Sequence, residues 1–149
     1  MIGTCLGKNE VRILDLDPRF LLDTHVYIRW LAEPKKLSRD QMRVLSRAER
    51  SGEPLGVSAV TLIEIAILFG VGGIWPRVPL NDLFAALLPG GAFRIIPFDI
   101  ETAKEVAAMG DMLRDPFDRS IVATARIHRL KLITSDQRII DSELVAVVE

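Results

Sequence analysis

Phe20-Leu21-Leu22-Asp23-Thr24 and Lys131-Leu132-Ile133-Thr134-Ser135-Asp136 follow one plan: a short apolar run that stops at an aspartate where a helix can begin. Runs this short cannot make a stable helix and read as buried strands. An acid just past such a strand stands at its carboxyl end, where open α/β sheets place their ligand crevice. The same punctuation outward from these two gives three more strand candidates, Leu55-Gly56-Val57, Arg94-Ile95-Ile96 and Leu144 to Val148. Longer helical stretches separate all five. That alternation predicts an α/β fold with a central parallel sheet covered by helices.

The helical stretches carry their own signals. Ser38 with Gln41 three residues on forms a capping box that opens a helix over Arg39 to Ser51, ended by Gly52. Asp115 before Pro116 sets a cap ahead of a first-turn proline and opens a helix to about Arg129. Further helices are expected over Thr24 to Glu33, Ala59 to Phe69, Leu80 to Leu88 and Asp99 to Met109, with a loop from Gly70 to Pro79. No internal repeat or linker divides the chain.

The chain of 149 residues is the size of one domain, and at 49% hydrophobic, 26% charged, 10 Gly and 8 Pro it is neither disordered nor low in complexity. A net charge of -1 supplies no global basic field, so any nucleic-acid contact has to be local. A single cysteine, Cys5, excludes an internal disulfide and suggests a reducing, cytoplasmic setting. The longest uncharged stretch, Ile65 to Pro76, is too short to span a bilayer, and charges break up the N-terminus, so neither a membrane span nor a signal peptide is expected.

Four acids stand where acids are costly. Asp23 and Asp136 follow strands; Asp118 lies in the first turn of the helix opened by Asp115-Pro116; Glu64 interrupts Val57 to Phe69, a helix apolar on nearly every side. Each of the three aspartates has an ordinary explanation as a helix cap or dipole partner. Glu64 has none except a solvent-facing stripe. Ser58, Thr61 and Glu64, spaced by three, form one narrow polar stripe, and a buried unpaired carboxylate requires a cation, a partner or a water-filled cleft. Several carboxylates brought together repel unless a divalent cation neutralises them, and oxygen-only ligands select Mg²⁺ or Mn²⁺ over zinc in a chain with only His25, His128 and Cys5 as softer donors. Such a site suits phosphate-ester hydrolysis without a side-chain nucleophile.

Leu21-Leu22-Asp23-Thr24-His25-Val26, Ser58 to Ala66, Asp115 to Ala125 and Leu132-Ile133-Thr134-Ser135-Asp136, in this order and spacing, resemble the PIN-domain nucleases, specifically the VapC-type toxin ribonucleases of bacterial toxin–antitoxin pairs. The resemblance covers residues 20–149 and leaves residues 1–19 as an N-terminal extension. It implies a three-layer α/β/α sandwich, a Mg²⁺- or Mn²⁺-dependent endoribonuclease, a cognate antitoxin bound along an apolar groove, and a homodimer. The family's acidic quartet falls on Asp23, Glu64, Asp118 and Asp136, with the hydroxyls of Thr24 and Ser135 supporting it. Asp115 either assists the metal through water or caps its helix, and capping is favoured by Pro116.

Local basic residues are the candidates for RNA contact: Arg43, Arg47 and Arg50 on one helical face, Arg126, Arg129, Lys131 and Arg138 near the last motifs, and Arg119 beside Asp118. Each group also reads as a solvated face. With a mean hydropathy of +0.25, Trp30, Ile74, Trp75 and Phe84 are candidates for an interface, or else ordinary core. Three rival readings compete. Val11-Arg12-Ile13-Leu14-Asp15-Leu16-Asp17 resembles the strand and paired aspartates of haloacid-dehalogenase-like phosphatases, but Arg12 breaks the strand, Pro18 follows, and Glu64 is left unexplained. A phosphoacceptor receiver domain needs paired acids after its first strand and a lysine after its last, which are missing here. A PIN-like module that binds RNA or protein without cutting typically lacks one of the four acids, and all four are present.

Overall fold

The computed structural model describes residues 16–70 and 78–149. Cys5, Ile74, Trp75 and residues 11–15 of the phosphatase-like run lie outside them. In chain order the described residues form β1 (Phe20–Leu22), α1 (Thr24–Ala32), α2 (Arg39–Ser51), β2 (Leu55–Ser58), α3 (Ala59–Gly70) and α4 (Leu80–Ala85). There follow β3 (Phe93–Ile96), α5 (Ile100–Ala108), α6 (Pro116–Ile127), β4 (Lys131–Ile133), α7 (Gln137–Ser142) and β5 (Val147–Val148). A 3₁₀ turn, Pro34–Lys36, joins α1 to α2.

The five strands run β3-β2-β1-β4-β5 with every neighbouring pair parallel, as the alternation predicts. From β1 the chain crosses to β2 and β3 on one side and then returns to β4 and β5 on the other. The sheet therefore reverses its order between β1 and β4, the place where parallel sheets open a crevice beyond their carboxyl ends. Leu22 pairs with Ile133 there, so Asp23 and Thr134 leave the two strands side by side.

Alternation along the strands sorts side chains into two cores. Leu22, Leu55, Val57, Phe93 and Ile133 pack with Val26, Tyr27 and Ile28 of α1, Leu45 of α2, Ile65 of α3 and Leu83 of α4. Leu21, Ile96 and Leu132 point the other way, against Ile121, Val122 and Ala125 of α6 and Ile139 of α7. This is the expected three-layer sandwich. Gly56 permits the central strands to close up, because a Cβ there would sit 2.9 Å from Ile96 Cδ1 and 3.0 Å from the Phe20 carbonyl.

Helix boundaries follow local chemistry. The Ser38–Gln41 capping box is formed in both directions, and Gly52 ends α2 with φ 70 in the left-handed region. α4 stops at Ala85 rather than Leu88, since the amides of Leu87 and Leu88 bond back three residues as the chain turns toward Pro89. α6 ends at Ile127, just ahead of Arg129 at φ 55. β5 is shorter than Leu144 to Val148 because the Leu144 carbonyl accepts from Arg126 Nη1 at 2.8 Å outside the ladder.

α3, apolar on nearly every side, is nonetheless open on one of them. Thr61 and Ile65 are buried, while Ile63 and Ile67 are 55% and 49% exposed, so its apolar composition covers a core face and an open face together. Trp30 and Phe84 pack against the first core and are ordinary core residues. No helix among the described residues is long and apolar enough to cross a membrane.

Candidate active site

Asp23 holds the N-cap position of α1, but its side chain makes no capping bond. Oδ2 instead accepts from Thr134 Oγ1 at 2.8 Å, so capping explains nothing about this acid. The same hydroxyl accepts from the Asp136 amide at 3.0 Å. One buried threonine thereby joins the acid after β1 to the acid after β4. Burial pushes the Asp23 carboxyl above the usual range, and the Thr134 hydrogen bond works against that rise.

Glu64 stands half-buried on α3. Its Oε2 is buried with no hydrogen-bond partner, a costly state for a carboxylate oxygen. Burial raises its pKa, the Asp23 charge adds to the rise, and a hydrogen bond from Thr24 opposes it. Thr24 Oγ1 also lies 3.0 Å from Thr61 Oγ1, which links the start of α1 to the polar stripe of α3. Ser58, the third member of that stripe, faces α6 instead, 3.5 Å from Thr124 Oγ1.

Asp118 enters from the first turn of α6. Burial, followed by the charges of Asp115, Asp136 and Asp23, pushes its carboxyl up to about 7, with Arg138 opposing. Asp136 moves the other way, because hydrogen bonds from Arg138 hold it below the ordinary carboxylate range. Arg138 Nη2 lies 2.7 Å from Asp136 Oδ2 and 3.3 Å from Asp118 Oδ2, so one guanidinium bridges the pair. Charge interactions thus link Asp23 to Glu64, Asp118 and Asp136, and Asp118 to Asp136, at the switch point. Among the described residues, no three Asp, Glu, His or Cys side chains are gathered closely enough to ligate one ion as they stand. Arg138 supplies the compensating charge between Asp118 and Asp136.

The supporting residues differ from expectation in one position. Ser135 does not contact Asp23; its Oγ accepts from Gln41 Nε2 at 2.9 Å. Thr134, one residue earlier, is the hydroxyl on the carboxylate, because successive residues leaving a strand point to opposite sides. Gln41 is fully buried, and its Nε2 also donates to the Thr134 carbonyl at 3.1 Å while Oε1 accepts from the Ser38 amide at 3.1 Å. The sequence signals Gln41 only as half of a capping box. Asp115 is a cap, accepting from the amides of Phe117 at 2.9 Å and Asp118 at 3.0 Å.

Of the basic candidates, Arg119 is turned inward, donating to the carbonyls of Val106 at 2.8 Å and Leu113 at 3.4 Å, which ties the end of α5 to α6. Arg126 pairs with Glu105 and donates to the Leu144 carbonyl. Arg43 pairs with Asp40 on the exposed face of α2. Of these candidates Arg138 lines the cleft beside the acids, a space of about 290 Å³ lined by Asp23, His25, Arg29, Ser135, Asp136 and Arg138.

A parallel α/β/α sandwich with acids set around its switch point has the architecture of the PIN-like nuclease folds. Residues 20–142 match the PIN domain, and the chain belongs to that family as a homologue of the VapC ribonucleases. It is 33% identical over 120 residues to Ribonuclease VapC22 of Mycobacterium tuberculosis, which covers 80% of this chain and 88% of the relative. The crystal structure of FitAcB from Neisseria gonorrhoeae aligns over 87% of this chain and 96% of its own, with 26% identity and a TM-score of 0.62. A toxin–antitoxin complex from Klebsiella pneumoniae covers 87% of this chain and 95% of its own at a TM-score of 0.57, and with 22% identity it shows the fold alone.

Proposed function

We propose that this chain is a Mg²⁺- or Mn²⁺-dependent endoribonuclease, the toxin of a toxin–antitoxin pair, with Asp23, Glu64, Asp118 and Asp136 as its metal-holding acids. The observation that carries the reading is a set of oxygen donors left in an unfavourable state without a cation. Glu64 Oε2 is buried and unpartnered, and Asp118 is pushed up to about 7 by burial and by its neighbouring carboxylates. Hard oxygen donors of this kind fit Mg²⁺ or Mn²⁺. The chemistry supplied by such an ion when bound is Lewis acidity toward a phosphodiester.

The chain's own residues do the rest. Thr134 fixes the Asp23 carboxylate and ties it to the Asp136 backbone. Thr24 supports Glu64, and Asp115 caps the first turn of α6, which carries Asp118. Gln41 locks the backbone that carries Thr134 and Ser135. Hydroxyls and an amide in these places orient acids that otherwise repel, the role of supporting partners around metal ligands. Residues 20–149 form the catalytic unit in this reading, with 1–19 an extension to it, and the cytoplasm is where its RNA is met.

The partner calls rest on the kinship with VapC and on surface chemistry. An open apolar groove lined by Pro34, Leu37 and Met42 offers an antitoxin segment a seat. Exposed Ile63 and Ile67 on α3 favour a second copy of the chain. The test is cleavage of a mixed RNA pool by purified protein with Mg²⁺, with Mn²⁺ and with chelator, alongside Asp118→Asn. Cutting that needs both the metal and Asp118 is expected; metal-dependent cutting that survives Asp118→Asn would overturn the site assignment, and absence of cutting together with absence of metal binding by calorimetry would overturn the activity.

A further inference from the structure

The cleft beside the acids has basic residues that the metal-holding role leaves unused. His25 and Arg29 stand four residues apart on α1 and so share one face of it, and both line the 290 Å³ space together with Asp23 and Asp136. Arg138, which also lines it, is tied to Asp118 and Asp136. Arg29 is tied to nothing: its side chain makes no hydrogen bond or ion pair with any described residue, and its Nε is buried without a partner. A buried unsatisfied donor costs about 1–3 kcal/mol. A guanidinium that lines a cleft with two carboxylates and pairs with neither is a cation kept open for a ligand.

The chemistry of that ligand follows from its surroundings. An anion matches the guanidinium in charge as well as in hydrogen bonding, and a shared divalent ion lets it lie close to the carboxylates. Arginine's planar fork presents paired donors that match phosphate oxygens. We propose that Arg29 is a phosphate-binding residue, gripping a backbone phosphate of the RNA strand that lies in the cleft. This inference rests on the nuclease reading and deepens it: the acids take one side of the strand's charge through the metal, and α1 takes another through Arg29.

The test separates the two claims. Binding of a labelled single-stranded RNA pool is measured by fluorescence anisotropy in the full chain carrying Asp118→Asn, with Mg²⁺, across a range of salt. Adding Arg29→Gln is expected to weaken binding about tenfold and to lower the slope of log affinity against log salt by about one, the signature of one lost phosphate contact. Arg29→Lys is expected to keep the slope and recover only part of the affinity, because it keeps the charge and loses the fork. Unchanged affinity and slope in Arg29→Gln, while the parent binds RNA, would overturn the role of Arg29 and leave the nuclease reading standing. A parent that neither binds nor cuts RNA would overturn both. Retained RNA binding with lost inhibition by the antitoxin would also overturn the proposal and assign Arg29 to the protein partner. Should Arg29→Gln fail to fold, Arg29→Lys decides alone: affinity equal to the parent's overturns the proposal.

Discussion

The acid site has two unlike halves. On one side Asp23 is held by a neutral hydroxyl, Thr134, inside a buried junction of two strands. On the other, Asp118 and Asp136 share Arg138, whose side chain is 70% exposed. The first half is fixed by packing and cannot relax without unmaking the β1–β4 pairing. The second is fixed by a cation on a long, solvated stem that a better cation can displace. In the proposed metal-holding role, the first half would supply the aim and the second the room to admit an ion.

The comparison breaks most visibly at Asp23. Asp23→Asn keeps the shape of the buried half and removes its charge, and RNA cleavage under Mg²⁺ is expected to fall by more than the roughly 100-fold that marks loss of a supporting partner. Thr134→Val keeps the charge and removes the hydroxyl. It is expected to lower Mg²⁺ affinity by about 10–100-fold in a calorimetric titration while the fold survives. If Thr134→Val binds metal as the parent does, the buried half is not the rigid one.

The looser half is sharpened by pH. The Asp118 carboxyl lies at about 7 in the folded chain, above its ordinary value near 4 in the unfolded one. Its contribution to stability is therefore full below about pH 4 and lost as pH rises through about 7, where the folded state must finally ionise it. Metal-free protein is expected to melt progressively lower over that window, and Asp118→Asn to flatten the profile and melt higher by about 3 °C or more at pH 8. Saturating Mg²⁺ should recover much of that difference in the parent and none in the variant. The smallest effect belongs to Arg138→Ala. An exposed guanidinium contributes little to stability, so the metal-free melting temperature is expected to drop slightly while the stabilisation gained from Mg²⁺ grows. A smaller gain from Mg²⁺ in that variant would show that Arg138 assists the metal instead of standing in for it.

The layers and all five strands are legible in sequence because short apolar runs between capped helices admit few alternatives, and the four acids are legible because each sits at a punctuation mark or inside an apolar helix. What sequence does not carry is direction. Thr134 and Ser135 are adjacent hydroxyls after one strand, and only the sheet decides which of them faces Asp23. Arg119 lies next to Asp118, yet one helical step turns it inward to the Val106 carbonyl. α3 gives no sign of an open side because apolar residues face both its core and its solvent. Arg29 is an ordinary helical arginine until its neighbours are known.

Gln41 reaches Thr134 across 93 positions, and Thr134 reaches Asp23 across 111. A ribosome delivers the N-terminal part first. The growing chain can lay β1, β2 and β3 side by side, but β1 keeps an open edge until β4 arrives with Thr134 and Asp136. Asp23 is made 111 positions before the hydroxyl that aims it, so the two halves of the acid site meet only once β4 has been synthesised and has paired with β1.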